Sequence, residues 1–193
     1  MRKTFILMTV VAVALVAGST PAGAAPRPRP IADRLMLQAG DLGGSVPGPV
    51  EDGLAWPLLP QPCAGAPVPP PVVSRQQAAD YESRYRVYEN VARYRGPNAA
   101  RAYVTELKAQ LTRCGAGGGD NGFDPVADDV YGPDSTLFTG NYDLGDRYVG
   151  YGVAATGRYV VVVLMSDPDL GAADLTLLND LVYRATARVR TAA

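Results

Sequence analysis

Cys63 and Cys114 are the only thiols among 193 residues, and the sequence has no histidine. That narrows the available chemistry sharply. Histidine is the side chain most used for proton transfer and metal ligation near neutral pH, so triad hydrolysis and zinc chemistry lose their usual agents. A serine nucleophile needs a base within hydrogen-bond reach. No G-x-S-x-G occurs, and of the two lysines, Lys3 and Lys108, the second falls on the polar face of a predicted helix. Paired carboxylates remain: Asp120, Asp124, Asp128, Asp129 and Asp134 share one Gly- and Pro-punctuated stretch, and such pairs could run glycoside hydrolysis. Short acidic side chains in loops more commonly cap turns and face water. As a calcium loop, Asp120-Asn121-Gly122-Phe123-Asp124 lacks both the D-x-D-x-D-G order and the glutamate at the twelfth position. Gly115-Ala116-Gly117-Gly118-Gly119 follows a helix and lacks a Gly-Lys-Ser/Thr ending, so it reads as a connection and not a phosphate loop. No catalytic residue, metal or cofactor is expected.

Two residue types remain as binding chemistry. Arg84, Arg86, Arg93 and Arg95 fall at strand spacing and could recognise an anionic wall polymer, phospholipid or glycan. Eleven tyrosines outnumber three phenylalanines, and Tyr85, Tyr88, Tyr94, Tyr148, Tyr151 and Tyr159 lie on predicted strands. A phenol buries its ring and keeps a polar tip, which suits a ligand groove and equally suits a half-exposed sheet face. Of these, Tyr85, Tyr94, Tyr148 and Tyr151 with the four arginines are taken as the candidate ligand-binding set.

The start of the chain tells where this chemistry would operate. Arg2 and Lys3 precede a nearly unbroken apolar run from Phe5 to Ala17, and Ala22-Gly23-Ala24 is a small-residue site of the A-x-A kind. This reads as a secretory signal peptide over residues 1–24. The apolar run falls short of the roughly 20 residues a spanning helix needs, so the mature chain should have no membrane span. No cysteine follows the cleavage site, so no lipid anchor is expected. Losing Arg2 and Lys3 leaves 16 basic against 19 acidic side chains, a balance that argues against a nucleic-acid partner. In an oxidising compartment two cysteines most often pair, and a Cys63–Cys114 disulfide is predicted.

Residues 25–30, with Arg-Pro-Arg-Pro, should form an extended leader before one domain over 31–193. Ile31 to Gln38 reads as a short helix offering Ile31, Leu35 and Met36 to a core. Seven prolines between Trp56 and Pro71 exclude regular structure there. Tyr85 to Arg95 is a strand with an expected bend near Glu89-Asn90. Pro97 opens a helix whose stripe is Ala100, Tyr103, Val104, Leu107, Leu111 and Cys114, with Gly115 as a left-handed stop. Asp134 to Tyr142, Arg147 to Ala155 and Arg158 to Ser166 read as strands, the last two joined at Thr156-Gly157. A final helix runs from about Gly171 to Arg190. These elements describe an α+β fold, an antiparallel sheet with two main helices on one face and one disulfide.

A short leucine-rich helix with an acidic residue (Leu35 to Leu42) precedes a cysteine in a Pro-rich stretch. A strand then runs into an Ala-rich helix (Val91-Ala92-Arg93-Tyr94-Arg95 into Asn98-Ala99-Ala100-Arg101-Ala102-Tyr103) that ends in the second cysteine (Leu111-Thr112-Arg113-Cys114), and an all-valine strand leads to a last helix. This arrangement resembles the PknH-like extracellular sensor domain family, found in actinobacterial receptor kinases and as stand-alone secreted proteins and lipoproteins. The resemblance implies an antiparallel sheet with helices, a cleft, and an extracytoplasmic ligand or envelope-protein partner. The sequence departs from kinase-attached members in lacking a second cysteine pair, a kinase domain and the tryptophan that Arg113 replaces. The resulting expectation is a secreted, non-enzymatic ligand- or protein-binding domain. The alternatives are a secreted hydrolase using Asp carboxylates and a structural cell-envelope protein.

Overall fold

Val160 to Leu164 puts an apolar group on both sides of an extended chain, so the strand it forms can only be stable with cover on both faces. A computed structural model describes residues 28–63, 65–115, 122–141, 148–169 and 171–191. The expected signal peptide, the first residues of the expected leader, Asp120, Tyr142 and Arg147 lie outside the described residues. The strands are β1 (Val73–Tyr81), β2 (Tyr85–Arg93), β3 (Phe123–Asp128), β4 (Ser135–Asn141), β5 (Tyr148–Thr156) and β6 (Tyr159–Ser166). The helices are α1 (Pro97–Cys114) and α2 (Leu175–Arg190). All neighbouring strands are antiparallel, in the order β1-β2-β6-β5-β4-β3.

The helices take opposite faces, which corrects the expectation of one shared face. Val160, Val162 and Leu164 of β6 pack with Ala100, Tyr103, Val104, Leu107 and Leu111 of α1. Val161, Val163 and Met165 pack with Leu178, Leu181, Val182, Ala185 and Val189 of α2. Both alternations of β6 are apolar, so strand periodicity alone carries no information about which face each helix covers.

Close approach of α2 to β5 depends on two glycines. A Cβ at Gly150 would stand 2.7 Å from Leu178 Cδ2, and one at Gly152 would run into Val182. At Gly157, φ is +56°, and with Arg158 it turns β5 into β6. Gly115 is right-handed and not the left-handed stop expected of it. It is needed instead because a side chain there would meet the carbonyls of Leu111 and Phe123.

Three further expectations are corrected. β2 does not bend at Glu89-Asn90; the hairpin turn lies before it, at Glu82 and Ser83, both with positive φ. The strands β1 and β3 were not anticipated. Ile31 to Gln38 forms no α-helix but contributes to two 3-10 turns, Asp33–Leu35 and Ala39–Asp41, although Ile31, Leu35 and Met36 are buried under α2 as expected. α2 begins at Leu175, where the Asp174 carboxylate accepts from the N–H groups of Thr176 and Leu177 and satisfies two of the free donors of the first turn.

The Cys63–Cys114 disulfide is present, with its α-carbons 6.3 Å apart across 51 residues. In the chain-entropy picture such a closure contributes about 4 kcal/mol. It attaches the Pro-rich segment to the last turn of α1, and side chains complete the attachment. The hydroxyl of Tyr103 donates to the Pro60 carbonyl at 2.9 Å, and Asn90 Nδ2 donates to the Leu58 carbonyl at 2.8 Å.

Crowding at the β5–α2 contact gives a test. Gly152→Ala should cost about 1–3 kcal/mol, the usual range for overpacking, while Gly40→Ala, whose new methyl meets nothing within 4 Å, should stay within about 0.5 kcal/mol. Urea unfolding of both variants measures the difference.

Candidate functional site

Arginines gather at both ends of the sheet, and the two ends are built differently. At the hairpin end, Arg84 lies over the ring of Tyr85, 4.9 Å from its centroid, and 3.9 Å from Asp167. Arg86 meets Asp80 at 3.0 Å and Glu51 at 3.1 Å. The Tyr88 hydroxyl donates to the other Glu51 oxygen, and that bond, with Arg86, holds the Glu51 carboxyl below its ordinary range. These cations are already matched by carboxylates.

At the opposite end lie Val73, Arg93, Tyr159 and Thr156, aligned across β1, β2, β6 and β5. The guanidinium of Arg93 donates to the carbonyl of Arg29. The Tyr94 N–H donates to the carbonyl of Arg158, which extends the β2–β6 ladder and sets the β5–β6 turn beside the end of β2. Arg95 follows at once, and Arg101 stands on the first turns of α1, its side chain on Asn98. No described carboxylate pairs with Arg29, Arg93, Arg95, Arg101 or Arg158.

A cavity of about 400 Å³ opens at this end, lined by Pro69, Pro70, Pro71, Val72, Arg95 and Ala99. Its geometry follows from the sequence. The Val72 N–H donates to the Arg93 carbonyl at 2.7 Å, so the Pro-rich segment is moored to β2 at that point. The three prolines before it have no N–H with which to continue the ladder, and they stand away as a wall. Gly96 and Pro97 turn the chain into α1 on the other side. The cavity is the space left between them.

The eight predicted binding residues therefore do not form one site. Tyr94 and Tyr151 are fully buried on the α1 side; Tyr94 sits beside Tyr103, and Tyr151 stacks on Phe138 with centroids 4.8 Å apart and the rings 7° from parallel. Burial lifts the Tyr94 hydroxyl to about 12, so it stays protonated. Tyr85 is buried on the α2 side, and Tyr148 is half-buried at the hairpin end. Arg93 and Arg95 are the members placed beside the cavity. Sequence reading missed Arg29, Arg101 and Arg158, which only the topology brings to them.

It also missed Glu89, although a charged residue between Val87 and Val91 on an apolar alternation is a visible anomaly. Only 1% of Glu89 is exposed. Its Oε2 accepts from the Leu37 N–H at 2.9 Å and from Gln77 Nε2 at 2.8 Å, and Gln77 also donates to the Leu37 carbonyl. Burial pushes the Glu89 carboxyl up to about 8, against the pull of those bonds and of Arg188. Burial also raises Asp41 nearby, but hydrogen bonds from Arg188 and from the Gln38 N–H outweigh it and hold that carboxyl low. Two carboxyls with affinities driven apart would suit acid–base work, yet the space beside Glu89 is too narrow for a water molecule. Glu89 fastens the N-terminal strap to the sheet. Asp124, Asp128, Asp129 and Asp134 lie along the β3–β4 hairpin, with Lys108 2.7 Å from Asp129 and 3.9 Å from Asp128. Among the described residues no cluster of three cysteines or carboxylates could hold a metal, and no helix is long and apolar enough to cross a membrane.

Fold and site together define a disulfide-tied α+β domain, an antiparallel sheet between two helices with an open, arginine-flanked groove at one end. No family model matches the sequence, and no curated protein matches it. Among solved structures the chain is similar to the extracellular domain of PknH from Mycobacterium tuberculosis, with a TM-score of 0.51 at 12% identity, over 85% of this chain and 97% of that one. At that identity the likeness is one of fold.

Glu89 makes stability depend on pH with a defined sign. Its native affinity for a proton is raised above the ordinary 4.5, so its contribution is complete below about pH 4.5 and is lost as pH rises toward about 8, by up to about 1.4 kcal/mol per pH unit. Urea midpoints at about pH 5 and about pH 8.5 should fall with pH in the wild type and much less in Glu89→Gln.

Proposed function

We propose that the mature chain, released by cleavage near Ala24, is a secreted, non-enzymatic domain that binds an extracytoplasmic ligand, and that the groove between Pro69–Val72 and the start of α1 receives an acidic group of that ligand. The observation that carries this reading is the pairing of an open cavity with Arg95 on its wall and no described carboxylate to neutralise it. A guanidinium flanking a concave, partly apolar surface is suited to holding a carboxylate or phosphate. The partial positive charge of the α1 N-terminus on the far wall acts in the same direction. Support comes also from the disulfide and from the fold likeness to an extracellular domain. The hydrolase reading is less favoured, because the described Asp candidates are strung along one hairpin and the perturbed carboxyl, Glu89, is closed to substrate.

Titration of the isotopically labelled protein with sodium phosphate tests this. The amide signals of Val72, Arg95 and Ala99 should shift together and saturate, with an affinity of roughly millimolar for so small an anion, and Arg95→Ala should abolish the shifts. Shifts spread evenly over the surface, or identical in Arg95→Ala, would refute the assignment. Mass spectrometry of protein recovered from culture medium checks export: a chain beginning near Ala25 and lighter by two hydrogens for the disulfide is expected.

A further inference from the structure

The groove is one part of a larger electropositive surface. Arg93 and Arg158 sit at the ends of adjacent strands, which are about 4.8 Å apart, and the Arg93 side chain reaches the backbone of Arg29 on the α2 side. Arg95 and Arg101 continue the surface to the first turns of α1, on the other face of the sheet. With a layer spacing on the order of 10 Å and strand spacing of about 4.8 Å, a path from Arg29 over the sheet end to Arg101 runs on the order of 15–20 Å. A single phosphate or carboxylate spans only a fraction of that. The side chains of Arg29, Arg95, Arg101 and Arg158 are exposed, and Arg93 is half-buried. Five cations with no described carboxylate partner have gathered in a chain whose acidic residues outnumber its basic ones, 19 to 18. Of the carboxylates toward the same sheet end, Asp33 is paired with Arg75, Asp128 and Asp129 are set off across β6, β5 and β4 and lie against Lys108, and Asp134 stands at the start of β4, its carbonyl accepting from the Ala155 N–H.

Resting on the groove assignment above, we propose that the ligand is a linear polyanion, a soluble chain with regularly repeated phosphate-like charges, that enters the Pro-walled groove at Arg95 and crosses the sheet end over Arg93, Arg158 and Arg29. Multivalent contact distinguishes this from recognition of one acidic group. Each arginine engaged releases counterions from the polymer, so affinity depends steeply on salt, and remote arginines matter although they do not line the groove.

The probe is inorganic polyphosphate of several tens of units, compared with orthophosphate by calorimetry on the full mature protein. Polyphosphate should bind at least a hundredfold more tightly, with a slope of log K against log salt of about −3 to −4 for four contacts, where orthophosphate shows about −1. The double variant Arg29→Ala/Arg158→Ala should weaken polyphosphate binding at least about fivefold and flatten the slope by about 1–2, while leaving the orthophosphate shifts at Val72, Arg95 and Ala99 in place. Arg184→Ala, which removes a cation paired with Asp180 on α2, controls for net charge and should bind as wild type. Unchanged urea midpoints confirm that the variants are folded. If orthophosphate shifts the groove signals but polyphosphate gains no affinity, or the double variant binds as wild type, the polymer proposal fails and the groove assignment stands. If neither anion perturbs the groove, both fail. Binding to phosphatidylglycerol vesicles without binding to soluble polyphosphate would overturn the proposal in favour of a membrane surface.

Discussion

A peptide nitrogen in proline has no hydrogen to donate, and seven of the residues from Trp56 to Pro71 are proline. That absence governs much of the molecule's α1 side. The segment cannot join the sheet as a strand, so it is retained by side chains that reach its backbone and by one sulfur. Tyr103, Asn90 and Tyr151 donate to the carbonyls of Pro60, Leu58 and Pro57, and Cys63 is bonded to Cys114. Buried Gln110 adds a contact from its side-chain oxygen to the Cys63 N–H. Directly after the last three prolines, the Val72 N–H returns the chain to β2. The groove is the gap between that point of return and the prolines that could not follow.

The opposite face solves a similar problem with a carboxyl. The strap from Ile31 to Leu42 contributes apolar side chains to the α2-side core but only short 3-10 turns of its own, so its backbone groups need partners from elsewhere. Glu89 and Gln77 supply them at Leu37. A buried carboxyl is costly unless it is bonded or neutral, and here it is both bonded and shifted toward its neutral form. The β5 glycines serve the same face by a different route, letting α2 lie close enough to seal it.

The elements legible in the sequence were those with a strong period: α1, α2, β4, β5, β6, and the cysteine pair joining an irregular segment to a helix end. The edge strands were not. β1 reads Val-Ser-Arg-Gln-Gln-Ala-Ala-Asp-Tyr, and β3 contains Pro125 with a bulge after it. Edge strands have only one neighbour to satisfy, so their composition is free to be polar or to include proline, and composition was the signal in use. The straight course of β2 was missed for the opposite reason: Glu89 and Asn90 look like a turn but are buried partners of Leu37 and Leu58. At the site, Arg93 and Arg95 could be named from strand spacing, while their company could not, since Arg29 and Arg158 lie 64 and 65 residues away from Arg93 in sequence, Arg158 reaching it through the β2–β6 pairing and Arg29 through its carbonyl, which accepts from the Arg93 guanidinium. The tyrosines show a limit of residue type. A phenol in a groove and a phenol in a core are the same letter, and Tyr94 and Tyr151 are in the core.

The pairing of β2 with β6 also governs the order in which the chain can mature. When the polypeptide emerges amino end first, the β1–β2 hairpin and α1 are available early, whereas the strand that must lie beside β2 is made some seventy residues later. Until it arrives, β2 has one open edge and both of its apolar alternations are uncovered, the kind of nascent surface on which chains stick to one another. A protein with this topology therefore depends on its last quarter for solubility as much as for shape. Truncation within β6 would leave a fragment with an oxidisable cysteine pair and an adhesive sheet.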